Sequence, residues 1–275
     1  MRPRMSLVPQ NAGRVGRFGT IGADRASARP RFGQVSDGEW EPEAENWVRW
    51  ARTPQHDAYW FYRDVFFDQL LPAPGQRTIE IGSGEGRVAR DLAARGHRVV
   101  GIDSSLTLLH HARKAGADTF YALGDGAALP FADGCFDLAV AYNSLQVVAD
   151  MPGTVAEAAR VLGPGGRFCF CVSHPVTDMG RFVGDEPDVD FALRQDYFSN
   201  RRVDDVVEEG GHAMTFRGWT YSLEDYAMAL EDAGLRIEAM REPRPSGASE
   251  RFRQWQRVPL FLSVRAVKAS LDPAR

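Results

Sequence analysis

Lysine is nearly missing from this chain: of its 33 basic residues only Lys114 and Lys268 are lysines, and arginine makes up the rest. Such a bias reflects base composition in a GC-rich genome and is no sign of phosphate recognition. A net charge of −4, with no clustered basic face, gives no electrostatic case for a nucleic-acid partner. Cysteine is also scarce. Cys135, Cys169 and Cys171 are an odd set that builds no disulfide framework, and the last two share one face of an expected strand, which suits a reducing compartment. No apolar run of about 18 residues exists to span a bilayer, and the amino terminus lacks a signal peptide's apolar core. These absences predict a soluble, cytoplasmic protein without membrane or nucleic-acid partners.

What the sequence does contain is concentrated at one place. Ile79-Glu80-Ile81-Gly82-Ser83-Gly84-Glu85-Gly86 runs from a short apolar strand through three alternating glycines toward a helix. Without Cβ atoms at Gly82, Gly84 and Gly86 the chain can take positive φ and approach a ligand closely, while the helix's first amides face outward. A dinucleotide fingerprint needs G-x-G-x-x-G, whereas this is G-x-G-x-G with an acid two positions before the first glycine. That spacing favours a ligand without a pyrophosphate.

Later strand ends supply further groups in order. The stretch from His97 to Asp103 reads as a second strand ending in an acid, about 20 residues beyond the glycines, where a carboxylate meets ribose hydroxyls in such folds. A third strand, Phe120 to Leu123, leads to Asp125, placed to accept from an adenine amine, with small neighbours leaving room for a flat base. A fourth, Phe136 to Tyr142, is followed by Asn143-Ser144-Leu145-Gln146, and a fifth, from Arg167, ends before His174. Alternation of helix and strand predicts an α/β doubly wound, mostly parallel sheet.

In this ordered set the chain resembles the class I S-adenosylmethionine-dependent methyltransferases, in particular the bacterial small-molecule group, over about residues 47 to 268. The resemblance implies a Rossmann-like seven-stranded sheet of order 3-2-1-4-5-7-6 with the last strand antiparallel. It implies S-adenosylmethionine as cofactor, with its methionine part held by Glu80, Gly82, Ser83, Gly84 and Gly86. Asp103 and Ser104 would serve the ribose, Asp125, Gly126 and Ala127 the adenine, and Asn143 to Leu145 the sulfonium. Tyr59 is a candidate to lie over the cofactor, and Tyr62, Gln146 and Trp219 to wall the substrate. The family's usual hydrophobic-His pair after the fourth strand is replaced here by Leu145-Gln146.

Residues 1–36, with seven arginines and little apolar periodicity, are expected to be a disordered basic lead-in. Residues 37–270 are expected to form one domain, and 271–275 a tail. Segments 40–63 and 174–220 would make a lid, the second being too long and too aperiodic for a simple connection. The acids Asp185, Glu186, Asp188 and Asp190 read as a solvated loop, so no metal is expected. His174, at the carboxyl end of the fifth strand, is the candidate general base, weighed against a purely structural role before Pro175. The expected activity is methyl transfer to an oxygen or nitrogen of a small metabolite. Its rivals are a non-catalytic nucleoside-binding regulator and an NAD(P)-dependent oxidoreductase. Oligomeric state is not legible.

Overall fold

The computed structural model describes residues 40–74, 76–116, 119–247 and 252–269. The expected lead-in and the tail lie outside the described residues. Seven strands form one sheet: β1 (Arg77–Ile81), β2 (Arg98–Asp103), β3 (Phe120–Leu123), β4 (Phe136–Tyr142), β5 (Leu162–Ser173), β10 (Leu235–Arg241) and β11 (Phe261–Lys268). Their order is β3-β2-β1-β4-β5-β11-β10. The first five are parallel, and β11 runs antiparallel to both β5 and β10. Counted within the sheet, this is the 3-2-1-4-5-7-6 order that the resemblance implied.

Alternation along the strands sends two sets of side chains to two cores. Ile79, Ile81, Ala139, Ala141, Phe168, Phe170 and Val172 face α5 (Met151–Val161) and α6 (Leu223–Asp232). Leu138, Val140, Tyr142, Cys169 and Cys171 face α2 (Tyr59–Val65), the π turn Phe66–Leu70 that continues it, and α3 (Arg87–Ala94). Burial lifts the thiols of Cys169 and Cys171 to about 12. Glu80 belongs to this second face, paired in register with Gly101 of β2 and Val140 of β4.

Helix starts follow side-chain capping. Ser105 accepts from the Leu108 amide to open α4 (Leu106–Lys114), Asp150 accepts from Gly153 to open α5, and Ser222 with Asp225 forms a reciprocal capping box on α6. One expectation changes at β5: the strand begins not at Arg167 but at Leu162, opposite Phe136, and takes in Gly163 to Gly166.

The segment 174–220 is more regular than its sequence suggests. β6 (Gly180–Phe182) pairs with β7 (Phe191–Leu193), and β8 (Arg202–Glu209) pairs with β9 (His212–Trp219), both antiparallel. Gly210 and Gly211 take φ of 55° and 79°, the two left-handed positions that a tight primed hairpin turn requires. The long hairpin packs on α1 (Ala44–Arg52), where Phe216 sets its ring edge-on to Trp47 and Trp50.

Candidate functional site

The carboxyl ends of β1 to β5 open on one edge of the sheet, where open α/β folds gather their ligands. After β1 the chain turns through Gly82, Gly84 and Gly86 at φ of 75°, 54° and 84°. Gly82 and Ser83 amides donate to the Ile102 carbonyl at 2.8 and 2.9 Å, tying this loop to β2. Asp103 is the joint between the two strand ends: Oδ2 accepts from Gly84 at 2.7 Å and Oδ1 from Ser105 at 2.8 Å. Burial raises its carboxyl, and the Ser105 and Gly84 amides work against that rise. Each oxygen keeps a second lone pair for a ligand.

Glu80 is buried below the loop, and burial, aided by the charges of Asp103 and Glu85, pushes its carboxyl well above the usual range. Its Oε2 has no partner among the described residues. Ser83 Oγ and Tyr121 hydroxyl are buried in the same condition. They meet over Gly101, where an added Cβ would lie 2.7 Å from Tyr121 Cδ1 and 2.9 Å from Ser83 Oγ.

At the other strand ends the placements differ in kind. Asp125 is exposed and accepts the Ala127 amide at 2.9 Å, while Ser104 is exposed beside Asp103. Gly126 is a packing glycine, since a Cβ there would press within 2.9 Å of Ile81. Asn143 sits at φ 53° after β4, a left-handed conformation that asparagine tolerates, with Oδ1 buried and without a partner among the described residues. Ser144 donates to the Ile81 carbonyl at 2.6 Å, and Leu145 is wholly buried in the core, so only its backbone can face a ligand. The Gln146 carbonyl accepts from the Trp219 amide at 2.7 Å. This bond joins the loop after β4 to the long hairpin. Gly218 has no room for a side chain there, because a Cβ would stand 2.6 Å from that carbonyl.

His174, Tyr59 and Tyr62 are held away from open space. Nδ1 of His174 accepts from the Val176 amide at 3.2 Å, so Nε2 carries the proton and donates to Glu242 at 2.9 Å. As placed, the ring has no lone pair to offer and joins β5 to the segment after β10. Burial lowers its pKa, with Glu242 opposing the shift, and burial lowers His97 too. An imidazole with a lowered native pKa is protonated first in the unfolded chain, so stability is lost as pH falls through about 6.5 toward the native value. Urea midpoints measured between about pH 8 and 5 are expected to drop on the acid side, and less steeply in His174→Gln. Superimposed profiles for the two proteins would remove His174 from that account. The Tyr59 hydroxyl donates to Asp91 of α3. Tyr62 packs on Phe252 and Phe261 with its hydroxyl unpartnered among the described residues.

Several residues not picked out from the sequence complete the edge. Glu41 binds the hydroxyls of Ser105 and Thr107, which hold its carboxyl below the usual range and fasten the amino-terminal segment to α4. Glu85, buried after Gly84, receives Arg52 of α1 at 2.7 Å and Arg90 of α3 at 2.9 Å. Arg217 of the hairpin reaches Glu43 at 3.5 Å. Apart from the Glu85–Arg90 pair, five residues apart, these pairings join distant parts of the chain, which no local pattern announces.

With this geometry in place, similarity to known proteins becomes informative. Residues 79–170 match the methyltransferase domain family, a span that includes the glycine loop, Asp103, Asp125 and Asn143. Over that span the chain carries the features of a methyltransferase domain, on a fold shared with solved S-adenosylmethionine-dependent methyltransferases. An S-adenosylmethionine-dependent methyltransferase structure from Mesorhizobium loti superposes with a TM-score of 0.63 at 23% identity, covering 77% of this chain and 98% of that one. Demethylmenaquinone methyltransferase of Corynebacterium kroppenstedtii is 38% identical over 117 residues, 42% of this chain and 48% of that protein. A 37.1 kDa protein of transposon TN4556 from Streptomyces fradiae is 34% identical over 161 residues, 56% of this chain and 44% of that one. The chain thus spans about half the length of the curated relatives it matches.

The solved structures that share this fold from Mesorhizobium loti and Listeria monocytogenes are described as dependent on S-adenosylmethionine. The edge has a geometry that fits that cofactor: a loop of three left-handed glycines, a carboxylate at the end of β2, and buried polar atoms on Glu80, Ser83 and Asn143 without partners among the described residues.

Proposed function

We propose that this chain methylates an oxygen or nitrogen of a small metabolite, by in-line displacement at the sulfonium of S-adenosylmethionine. The observation that carries this reading is the Asp103 joint, which fixes a carboxylate and the glycine loop against each other at the strand edge. When bound, the cofactor supplies an electrophilic methyl on a positively charged sulfur. Asp103 would take the ribose hydroxyls, and Asp125 with the Gly126 and Ala127 backbone the adenine. Glu80 to Gly86 would hold the methionine end, and Asn143 and the Leu145 backbone the space beside sulfur. In this reading residues 37–270 act as one domain, with α1, α2 and the two hairpins as its cover. Gln146 and Trp219 would then face the acceptor, while Tyr62, buried against Phe252 and Phe261, would not.

Most of the rate enhancement asked of the protein would come from near-attack placement and exclusion of water. His174 acts here as a positioning residue that fixes the end of β5. The names of the demethylmenaquinone methyltransferase relatives support a small-molecule acceptor. No helix among the described residues is long and apolar enough to cross a membrane, and no cluster of three or more of their His, Cys, Asp and Glu residues is placed to hold a metal ion.

The test is S-adenosylhomocysteine release from S-adenosylmethionine across a panel of hydroxylated and amine metabolites, with and without EDTA. Turnover that persists in chelator is expected. Tight S-adenosylhomocysteine binding with no turnover on any acceptor would favour the regulator reading, and NAD binding in its place the oxidoreductase. Activity lost in EDTA and restored by magnesium would bring the acids of 185–190 into the mechanism.

A further inference from the structure

We propose that Arg87, flanked by Trp47, binds the carboxylate of the cofactor's amino-acid end; the inference rests on the cofactor reading above. Arg87 opens α3 directly after Gly86, and its guanidinium lies over the rings of Tyr59 at 4.3 Å and Trp47 at 5.1 Å. Its side chain is 11% exposed. Nη2 donates to Asp57 Oδ1 at 2.9 Å, but Nη1 is buried with no partner among the described residues. Asp57 is not able to serve both arms, because it also accepts the Trp50 indole at 3.1 Å and the Tyr59 amide at 2.7 Å. A buried guanidinium donor left unpaired is costly, and a planar carboxylate is the ligand its fork matches best.

Position narrows the ligand further. The Trp47 indole nitrogen lies 3.3 Å from where a Cβ on Gly84 would stand, so the Trp47 and Arg87 pair borders the glycine loop. The Arg87 charge acts on Glu80 of β1 and on Tyr142 at the end of β4, the two central strand ends. The other arginines beside the loop are engaged: Arg52 and Arg90 both bind Glu85. The free Nη1 arm of Arg87 at the methionine end of the loop is therefore matched by the one anionic group of that part of the cofactor.

Calorimetry with S-adenosylhomocysteine, its decarboxylated analogue and 5′-methylthioadenosine tests this without any methyl acceptor. The wild-type protein is expected to bind S-adenosylhomocysteine about ten- to a hundredfold more tightly than the decarboxylated analogue. In Arg87→Met that preference should collapse toward one while 5′-methylthioadenosine affinity stays unchanged, and Arg87→Lys should retain part of it. Because Arg87→Met leaves Asp57 buried without its cation, the double variant with Asp57→Asn is measured alongside. A preference that survives in the variants overturns the assignment. If no variant folds, the wild-type comparison decides: equal affinity for the carboxylated and decarboxylated ligands overturns it, with the cofactor reading intact. Failure of all three ligands to bind wild type would instead remove the cofactor reading and the subsite together.

Discussion

Asp103→Ala is expected to weaken S-adenosylhomocysteine binding by about a hundredfold or more, two lost hydrogen bonds to a charged acceptor at roughly 1.5 to 3 kcal/mol each. The loss has a second source. The same carboxylate accepts the Gly84 and Ser105 amides, so its removal also frees the glycine loop from the start of α4. Asp103→Asn separates the two, since its carbonyl oxygen can still accept an amide while the charge is gone, and its effect should be the smaller. Because burial raises the Asp103 carboxyl, affinity should also fall on acidification as this group is protonated, a fall that Asp103→Asn should lack. Calorimetry at neutral and acid pH reads both effects. Equal affinity in wild type and Asp103→Ala would place the ribose elsewhere.

The second large effect is on the fold itself. Gly82→Ala combines a left-handed φ of 75° with a methyl driven into the Ser144 side chain, whose Oγ would be 3.0 Å from the new atom. Ser144 has nowhere to retreat without breaking its bond to the Ile81 carbonyl. Left-handed strain of about 1 kcal/mol and overpacking of about 1 to 3 kcal/mol give an expected loss near 3 kcal/mol. Chemical denaturation would measure it. A Gly82→Ala, Ser144→Gly double variant should recover the steric part and leave the backbone part, so the two changes should be far from additive. An unchanged midpoint in Gly82→Ala would mean that the loop relaxes freely.

The central strand Phe136 to Tyr142 and the edge strand Phe120 to Leu123 were legible because short runs of mostly apolar residues mark both. The glycine loop and Asp103 were legible because chain spacing alone carries them to one edge. The hairpin β8–β9 was not, since Asp204, Asp205, Val206, Val207 and Glu208 all lie exposed and blur the alternation, though Gly210-Gly211 marked its turn. Side-chain commitments were the least legible. The partner of His174 lies 68 residues away and that of Tyr59 lies 32 residues away, and whether a ring faces a ligand or a neighbour depends on those contacts. Arg87 went unnoticed for the same reason: its role follows from what Asp57, Arg52 and Arg90 do with their own groups.

Cys169 and Cys171, on one face of the central strand β5, give the sheet a clock. Both are sealed from solvent, whereas Cys135 is half-buried at the start of β4. A thiol reagent should modify Cys135 quickly, because only local motion is needed to reach it. The other two can react only when β5 separates from α2 and α3, so their labelling rate measures how often the middle of the sheet opens. Ligands that close the strand edge should slow that labelling by the factor through which they stabilise the native state.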